Sequence, residues 1–405
     1  MQQWRPQQIG RNHEDRRRTE LMVRRSAAPE CRSRFVRSSG TAALREARRS
    51  MGKTNRRQKQ KRDSRARSQN TFRNLETPEA AMMRAILSRA LTPSRRRIEA
   101  RANVARRFES WRLNPALPQP GSSIALDDTG FSESITKNVT EQPVLHHALF
   151  PAMSAAENLT TVVHLVDQWD ATGELRTSSI IALCRSALES ASRTVWILSE
   201  VDRDERRNRA LRVTKDEVLA QKKYVEEQIK RIDAGGISAT DGQYAELEEA
   251  LTAAKDVLDE LSDVKHALKF DQTIERAAQW IDENMPNPSV KPMADLSKSM
   301  YAIASGITHG YTWATNYLHG TTDLSNIVAD FLYAAATTTE AAVALYESQA
   351  SATSTIAENC PPHLRDAAER LHRIFGAATA DPTTQPATGP SSSAPHGSAE
   401  ATAHC

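Results

Sequence analysis

LRVTKDEVLAQKKYVEEQIKRID (residues 211–233), AGGISAT (234–240) and DGQYAELEEALTAAKDVLDELSDVKHAL (241–268) read in succession as a helix, a stop and a second helix. In the first, Leu211, Val218, Val225 and Ile232 recur every seven residues, and Gly235-Gly236 ends it. Thr240-x-x-Gln243 then has the form of a capping box. Beyond it Tyr244, Leu247, Leu251, Ala254, Leu258, Leu261 and Leu268 keep a 3/4 alternation, interrupted where Lys265 replaces an apolar residue. The first arm is basic, with ten Lys and Arg against seven Asp and Glu over Arg203–Asp233. The second is acidic, with three against eight over Asp241–Phe270. Opposite charges and a shared apolar seam predict an antiparallel, coiled-coil-like hairpin over 206–269. At about 1.5 Å per residue its arms are about 40 Å long. Such a hairpin can be an arm for dimerisation or partner docking, or an ordinary pair of long helices within a bundle.

The same helical period extends in both directions. Met153, Ala156, Leu159, Val163, Val166 and Trp169 mark a helix ending at Gly173, and Ile180, Cys184, Ala187, Leu188, Ala191, Val195 and Leu198 mark the next. After the hairpin, Ile274, Ala277, Trp280 and Ile281 define a helix stopped by Met285-Pro286. A helix from about Ala294 to Leu318 then carries Gly306-x-x-x-Gly310. Two helical glycines cost about 1 kcal/mol each against alanine, so the close approach of another backbone is expected there. An Ala- and Thr-rich helix over Asp323–Glu347 and a short one from Pro362 to Gly376 complete the series. No period-2 run occurs between Ala152 and Phe375, so the fold class is all-α, a multi-helix bundle over 148–376 with the hairpin as part of it.

The N-terminal part is a polycation. Residues 1–112 hold 31 Lys and Arg against 10 Asp and Glu, a net +21, whereas 113–405 hold 23 against 40, a net −17. Within 1–75 apolar periodicity is nearly absent, and Lys53 to Arg67 has eight basic residues in fifteen. That composition predicts a disordered Arg-rich tail, suited to electrostatic contact with RNA, DNA or an acidic protein, or simply solvated. Met51-Gly-Lys-Thr reads as a plausible native start, which would make 1–50 an over-long gene model. Residues 76–112 read as a basic helical segment with a first helix ending near Pro93. A second helix follows, with Ile98, Ala102, Ala105, Phe108 and Trp111 on one side and Arg95, Arg96, Arg97, Arg101, Arg106 and Arg107 on the others. The acidic remainder of the same chain is its most economical partner. Residues 113–147, with Pro115, Pro118, Pro120 and Gly121, read as a linker with a weak alternation around Ile124–Val139 that suggests a short hairpin. Residues 377–405 read as a disordered Ser/Pro/Thr/Ala tail.

The longest stretch free of charged residues, Ser299 to Thr322, contains His309, His319 and Asn316, and lacks the apolar density of a membrane span. No membrane contact is expected, and the expected location is the cytoplasm. Cys31, Cys184, Cys360 and Cys405 lie far apart without a Cys-x-x-Cys pair, as in a reducing compartment. Ten histidines follow residue 112, but none forms a metal-binding pair on one helix face. His146-His147 is adjacent and points in two directions. No metal or cofactor is expected.

Candidate site residues come from one polar ridge. Tyr301, Ser305 and His309 stand at i, i+4 and i+8, continued by Trp313, and Arg185, Glu189 and Arg193 stand likewise on an earlier helix, where they suit intrahelical ion pairs. If the two ridges meet, His309 is the group to transfer a proton or orient a substrate, with Ser305 and Tyr301 as hydrogen-bond donors and Glu189 or Arg185 facing them. The competing reading is an interhelical hydrogen-bond network that fixes packing.

The run Tyr301-x-x-x-Ser305-x-x-x-His309-Gly310, with Arg185-x-x-x-Glu189 upstream and Arg206, Arg207 and Arg209 opening the hairpin, resembles a set of uncharacterised actinobacterial all-helical proteins. More distantly, over about Ala152–Gln349, it is similar to HEPN-like helical bundles, which occur in RNA-cleaving toxins, abortive-infection proteins and nucleotide-handling accessory domains. That resemblance implies a metal-independent ribonuclease or toxin-type effector using His309. Active members of that class carry an Arg, four to six intervening residues and then a His on one helix, and no Arg stands four to seven positions before His309. Arg365 and His372 match the spacing on the last helix, as chance alone would supply. The leading expectation is therefore a non-catalytic interaction, scaffold or accessory protein that oligomerises through the hairpin, with the ribonuclease as alternative.

Overall fold

The computed structural model describes residues 78–285, 292–317 and 320–375. The chain divides into two units, Met1–Arg84 and Ala85–Cys405. Every interaction given below lies within the second. The basic tail expected over 1–75 and the tail expected over 377–405 lie outside the described residues. All regular structure among the described residues is helical, as the apolar spacing predicts.

Helix α1 spans Pro78–Ala105, and two 3-10 turns, Arg106–Phe108 and Trp111–Leu113, follow it. Contrary to expectation, Pro93 lies inside α1 and does not end it. A proline removes one backbone donor, and Ile98, Ala102, Ala105 and Phe108 are buried on the core just beyond, which holds the helix through the break. The basic face of α1 and of the turn after it lies on acidic and aromatic groups of the body. Arg97 pairs with Asp330, Arg106 with Asp167 at 2.6 Å, and Arg101 lies over the Tyr333 ring at 4.1 Å.

No strand forms over Ile124–Val139, where weak alternation suggested a hairpin. The chain makes α2 (Ser123–Asp127) and α3 (Glu133–Asn138), because Ser122 and Ser132 accept hydrogen bonds from Ala125 N and Ile135 N and so cap both. Residues 113–147, expected as a linker, thus include buried Ile124 and Val144 within the main core. Helix α4 (Pro143–Thr172) starts ten residues before its first expected apolar position, with Pro143 in its first turn. Both carboxylate oxygens of Asp128 cap it, on Val144 N at 2.7 Å and Leu145 N at 3.1 Å. It ends at Gly173, whose φ of 74° is the left-handed stop that glycine permits.

Helices α5 (Thr177–Leu198) and α10 (Thr321–Ala350) form the centre, with α4 packed on α5. From Phe331 onward α10 is buried at nearly every position. Its alanines allow close approach of neighbours, and Thr338 and Thr339 satisfy their hydroxyls on the carbonyls of Ala334 and Ala335 at 2.8 Å. By length and composition its Asp323–Ala350 stretch could cross a membrane, but 72% of its most apolar window is buried against other helices. The last helix, α11 (Arg365–Phe375), packs on α10.

The hairpin forms as α6 (Arg203–Asp233) and α7 (Asp241–Glu260), with the Thr240/Gln243 capping box in place and Gly235 at φ 71° in the turn. Its root is fixed by a fully buried ion pair. Arg206 donates from Nε and Nη2 to the two oxygens of Asp127, at 2.6 and 2.9 Å, and from Nη1 to the carbonyls of Glu200 and Val201. A separate small core of Ile135, Val218, Ala254, Val257 and Leu261 binds α3 to the hairpin. Beyond it the arms pack on each other, and no residue from 226 to 253 is buried.

Helix α8 (Phe270–Asn284) leads into α9 (Met293–Thr308), whose first amides, Met293 N and Ala294 N, are capped by Asp282 at 2.8 and 3.0 Å. The helix expected to reach Leu318 stops at Thr308. Gly310 takes φ 68°, Tyr311 N donates to Gly306 O and Gly310 N to Ile307 O, which is a Schellman stop. Gly306 is buried against the indole of Trp313 folded back from the following turn. A Cβ there would lie 2.6 Å from a ring carbon of Trp313. A side chain, and not the backbone of another helix, fills the space the glycine leaves.

Candidate functional site

Four helices meet around a cleft of about 210 Å³. Helix α4 supplies His146, His147, Phe150, Pro151 and Ser154, successive turns of one face. Helix α5 supplies Glu189, Ser190 and Arg193, α6 supplies Glu217, and the first residue of α8 supplies Phe270. Adjacent histidines diverge, as their spacing requires. His146 is exposed and stacks on the exposed ring of Phe150, 5° from parallel, whereas His147 is buried.

The buried ring sits in a short relay. His147 Nε2 lies 2.9 Å from Thr214 Oγ1, and the Thr214 hydroxyl donates to Ala210 O at 3.1 Å. With its hydrogen so engaged, Thr214 is left to accept, which assigns the proton of His147 to Nε2 and a lone pair to Nδ1. Nδ1 lies 3.6 Å from Glu217 Oε2, beyond hydrogen-bonding distance. The other oxygen of Glu217 accepts from Arg193 at 3.1 Å, and the Arg193 guanidinium lies over the Phe270 ring at 5.3 Å. Burial, and then the neighbouring His146 and Arg193 charges, push the His147 pKa down to about 3, while burial lifts Glu217 above the usual carboxylate range. A ring that titrates near 3 carries a proton in about one molecule in ten thousand at pH 7. His147 is thus a hydrogen-bond acceptor at neutral pH and poorly matched to general acid catalysis.

Of the residues expected to form the site, Glu189 lines this cleft. Arg185 pairs with it at 2.8 Å within α5, and the Tyr301 ring of α9 lies 5.2 Å from the Arg185 guanidinium. Arg193, expected as the third member of that intrahelical series, instead crosses to Glu217 on α6. Ser305 lies half-buried in the last turn of α9. His309 is outside the helix, on its exposed capping turn, with its ring 5.9 Å from Tyr311. It is not among the residues that line the cleft. The arginines that open the hairpin are held by the body. Arg206 is buried on Asp127, Arg207 donates to the carbonyls of Asp127, Thr129 and Gly130, and Arg209 pairs with Glu200 and Glu205.

Sequence reading missed Glu217, Thr214, Phe150 and Phe270 as partners of His147. These lie 3 to 123 positions from it, and no local period links them; the one signal was the His146-His147 pair itself. Among the described residues no group of three or more His, Cys, Asp or Glu is placed to hold a metal ion. Neither protein-family models, nor curated proteins, nor solved structures give a match to this chain.

Proposed function

We propose that this is a non-catalytic helical interaction protein of the cytoplasm that self-associates through the α6–α7 hairpin. The observation that carries the reading is the half-covered distal part of the arm: none of residues 226–253 is buried, and Ile229, Ile232, Tyr244, Leu247 and Leu251, which recur there at helical spacing, are only half-buried. An apolar seam left half-open over several turns gains stability when a further helix covers it. The occupant proposed is a second copy of the chain. Helix α6 carries ten basic against seven acidic residues and α7 one against seven, so two hairpins related by a twofold axis set α6 of each against α7 of the other. The low proton affinity of the buried cleft histidine also favours binding over catalysis.

The test is the mass of the intact chain in solution, compared with a variant in which residues 226–251 are replaced by a short Gly-rich turn. The excision keeps Arg206, Val218, Ala254 and Val257, so the root stays packed. An oligomer that becomes a monomer on excision is the expected result, and a monodisperse intact monomer refutes the proposal.

A second reading has one observation in its favour. His309 is exposed beside the exposed ring of Tyr311, a surface on which an unpaired base of RNA could stack. It corresponds to the metal-independent ribonuclease of the HEPN-like alternative. Cleavage of single-stranded RNA by the pure protein, abolished by H309A, would favour it. The tail residues that would recruit RNA lie mostly outside the described residues, and Arg97 of α1 and Arg106 of the turn after it are already paired within the body.

A further inference from the structure

In the cleft between α4, α5, α6 and α8 an imidazole nitrogen and a carboxyl oxygen face each other beyond hydrogen-bonding distance. His147 is 2% exposed, its Nε2 is committed to Thr214, and its Nδ1 has no hydrogen-bond donor among the described residues. Glu217 Oε2 stands 3.6 Å away, its partner oxygen already occupied by Arg193. The Glu217 side chain is 46% exposed, so its free oxygen can be solvated, and a donor that bridges it to Nδ1 satisfies both acceptors at once. The walls are aromatic, with Phe150 66% and Phe270 41% exposed. Glu189 and Glu217 bring two carboxylates to the lining, the first paired with Arg185 and the second through one oxygen with Arg193. At about 210 Å³ the space lies below the range of about 300–1,000 Å³ that takes drug-sized molecules.

We propose that this cleft is a binding site for a small organic ammonium: a primary amine on an apolar or single-ring body, its N–H groups shared between His147 Nδ1 and Glu217 Oε2 and its body against Phe150 and Phe270. Primary substitution matters because both acceptors need hydrogens. The aromatic walls alone would take any cation, and the acceptor pair alone would take any small donor, water included.

Calorimetric titration of the full-length protein with benzylamine, benzyltrimethylammonium and benzyl alcohol separates these cases. Saturable binding of benzylamine is expected, at least tenfold tighter than either analogue. E217Q, which keeps the shape of a half-exposed side chain, should weaken benzylamine at least tenfold while leaving the melting temperature within a few degrees. F150A should weaken all three probes together. Absence of saturable benzylamine binding to the folded protein overturns the proposal, as does equal affinity for the trimethylated cation or for the alcohol. The site does not depend on self-association, so binding by the hairpin-excised variant is expected whether or not the intact chain is an oligomer.

Discussion

Replacing Arg206 with methionine tests the root of the hairpin. The guanidinium and the Asp127 carboxylate are both fully buried and meet through two hydrogen bonds, and a third nitrogen of Arg206 serves the carbonyls of Glu200 and Val201. Methionine fills much of the same volume but leaves a buried carboxylate and two carbonyls without their donors. Breaking a buried pair in this one-sided way costs about 3–5 kcal/mol. Arg203 Nε, 3.6 Å from Asp127 Oδ1 and half-exposed, can swing closer and recover part of it, which puts the expected loss near 3 kcal/mol. At about 2–4 °C per kcal/mol for a body of this size, melting should fall by roughly 6–12 °C. Removing both charges, as in R206M/D127L, leaves no stranded ion and should lie within about 2 kcal/mol of wild type. Urea unfolding followed by circular dichroism on the two single variants and the double gives the coupling directly. A single R206M variant within 1 kcal/mol of wild type, or a double variant as unstable as the two singles summed, would refute the reasoning.

The His147 ring provides a pH test. In the unfolded chain it titrates near 6.5, and in the fold near 3. Between those values the unfolded state takes a proton that the folded state refuses, so stability falls as pH is lowered, by up to about 1.4 kcal/mol per pH unit. H147Q should flatten the urea midpoint between pH 6 and pH 4 relative to wild type, and identical slopes in the two proteins would show that the ring is not excluded from water. G306A should destabilise by about 1–2 kcal/mol, because the clash with the Trp313 ring outweighs the gain of about 1 kcal/mol in helix propensity. The displaced indole should shift the fluorescence to the red, and an unchanged spectrum with a higher melting temperature would mean that the glycine is not there for Trp313.

The all-helical class, the hairpin with its capping box and the buried central helix were legible because each depends on residues three, four or seven apart, the range over which a helix repeats its own environment. The stop at Gly310 was harder to read, since a glycine in a helical run looks the same whether it admits a neighbouring backbone, a folded-back indole or a left-handed turn. The short helices over 123–138 were missed because serine caps compete on equal terms with weak alternation when a segment is only five or six residues long. Pro93 misled for the opposite reason: its local cost is real, and packing on the core overrides it.

Local order along the chain thus determined which segments are helices and where their apolar faces lie. Only the tertiary structure decided what those faces meet. His147 with Glu217, Arg206 with Asp127 and Arg185 with Tyr301 are separated by 70, 79 and 116 positions. A side chain carries no mark in sequence of the partner that folding sets beside it. Its charge state, its tautomer and its access to a ligand follow from desolvation and from a donor a few ångströms away, and both exist only once the helices have packed.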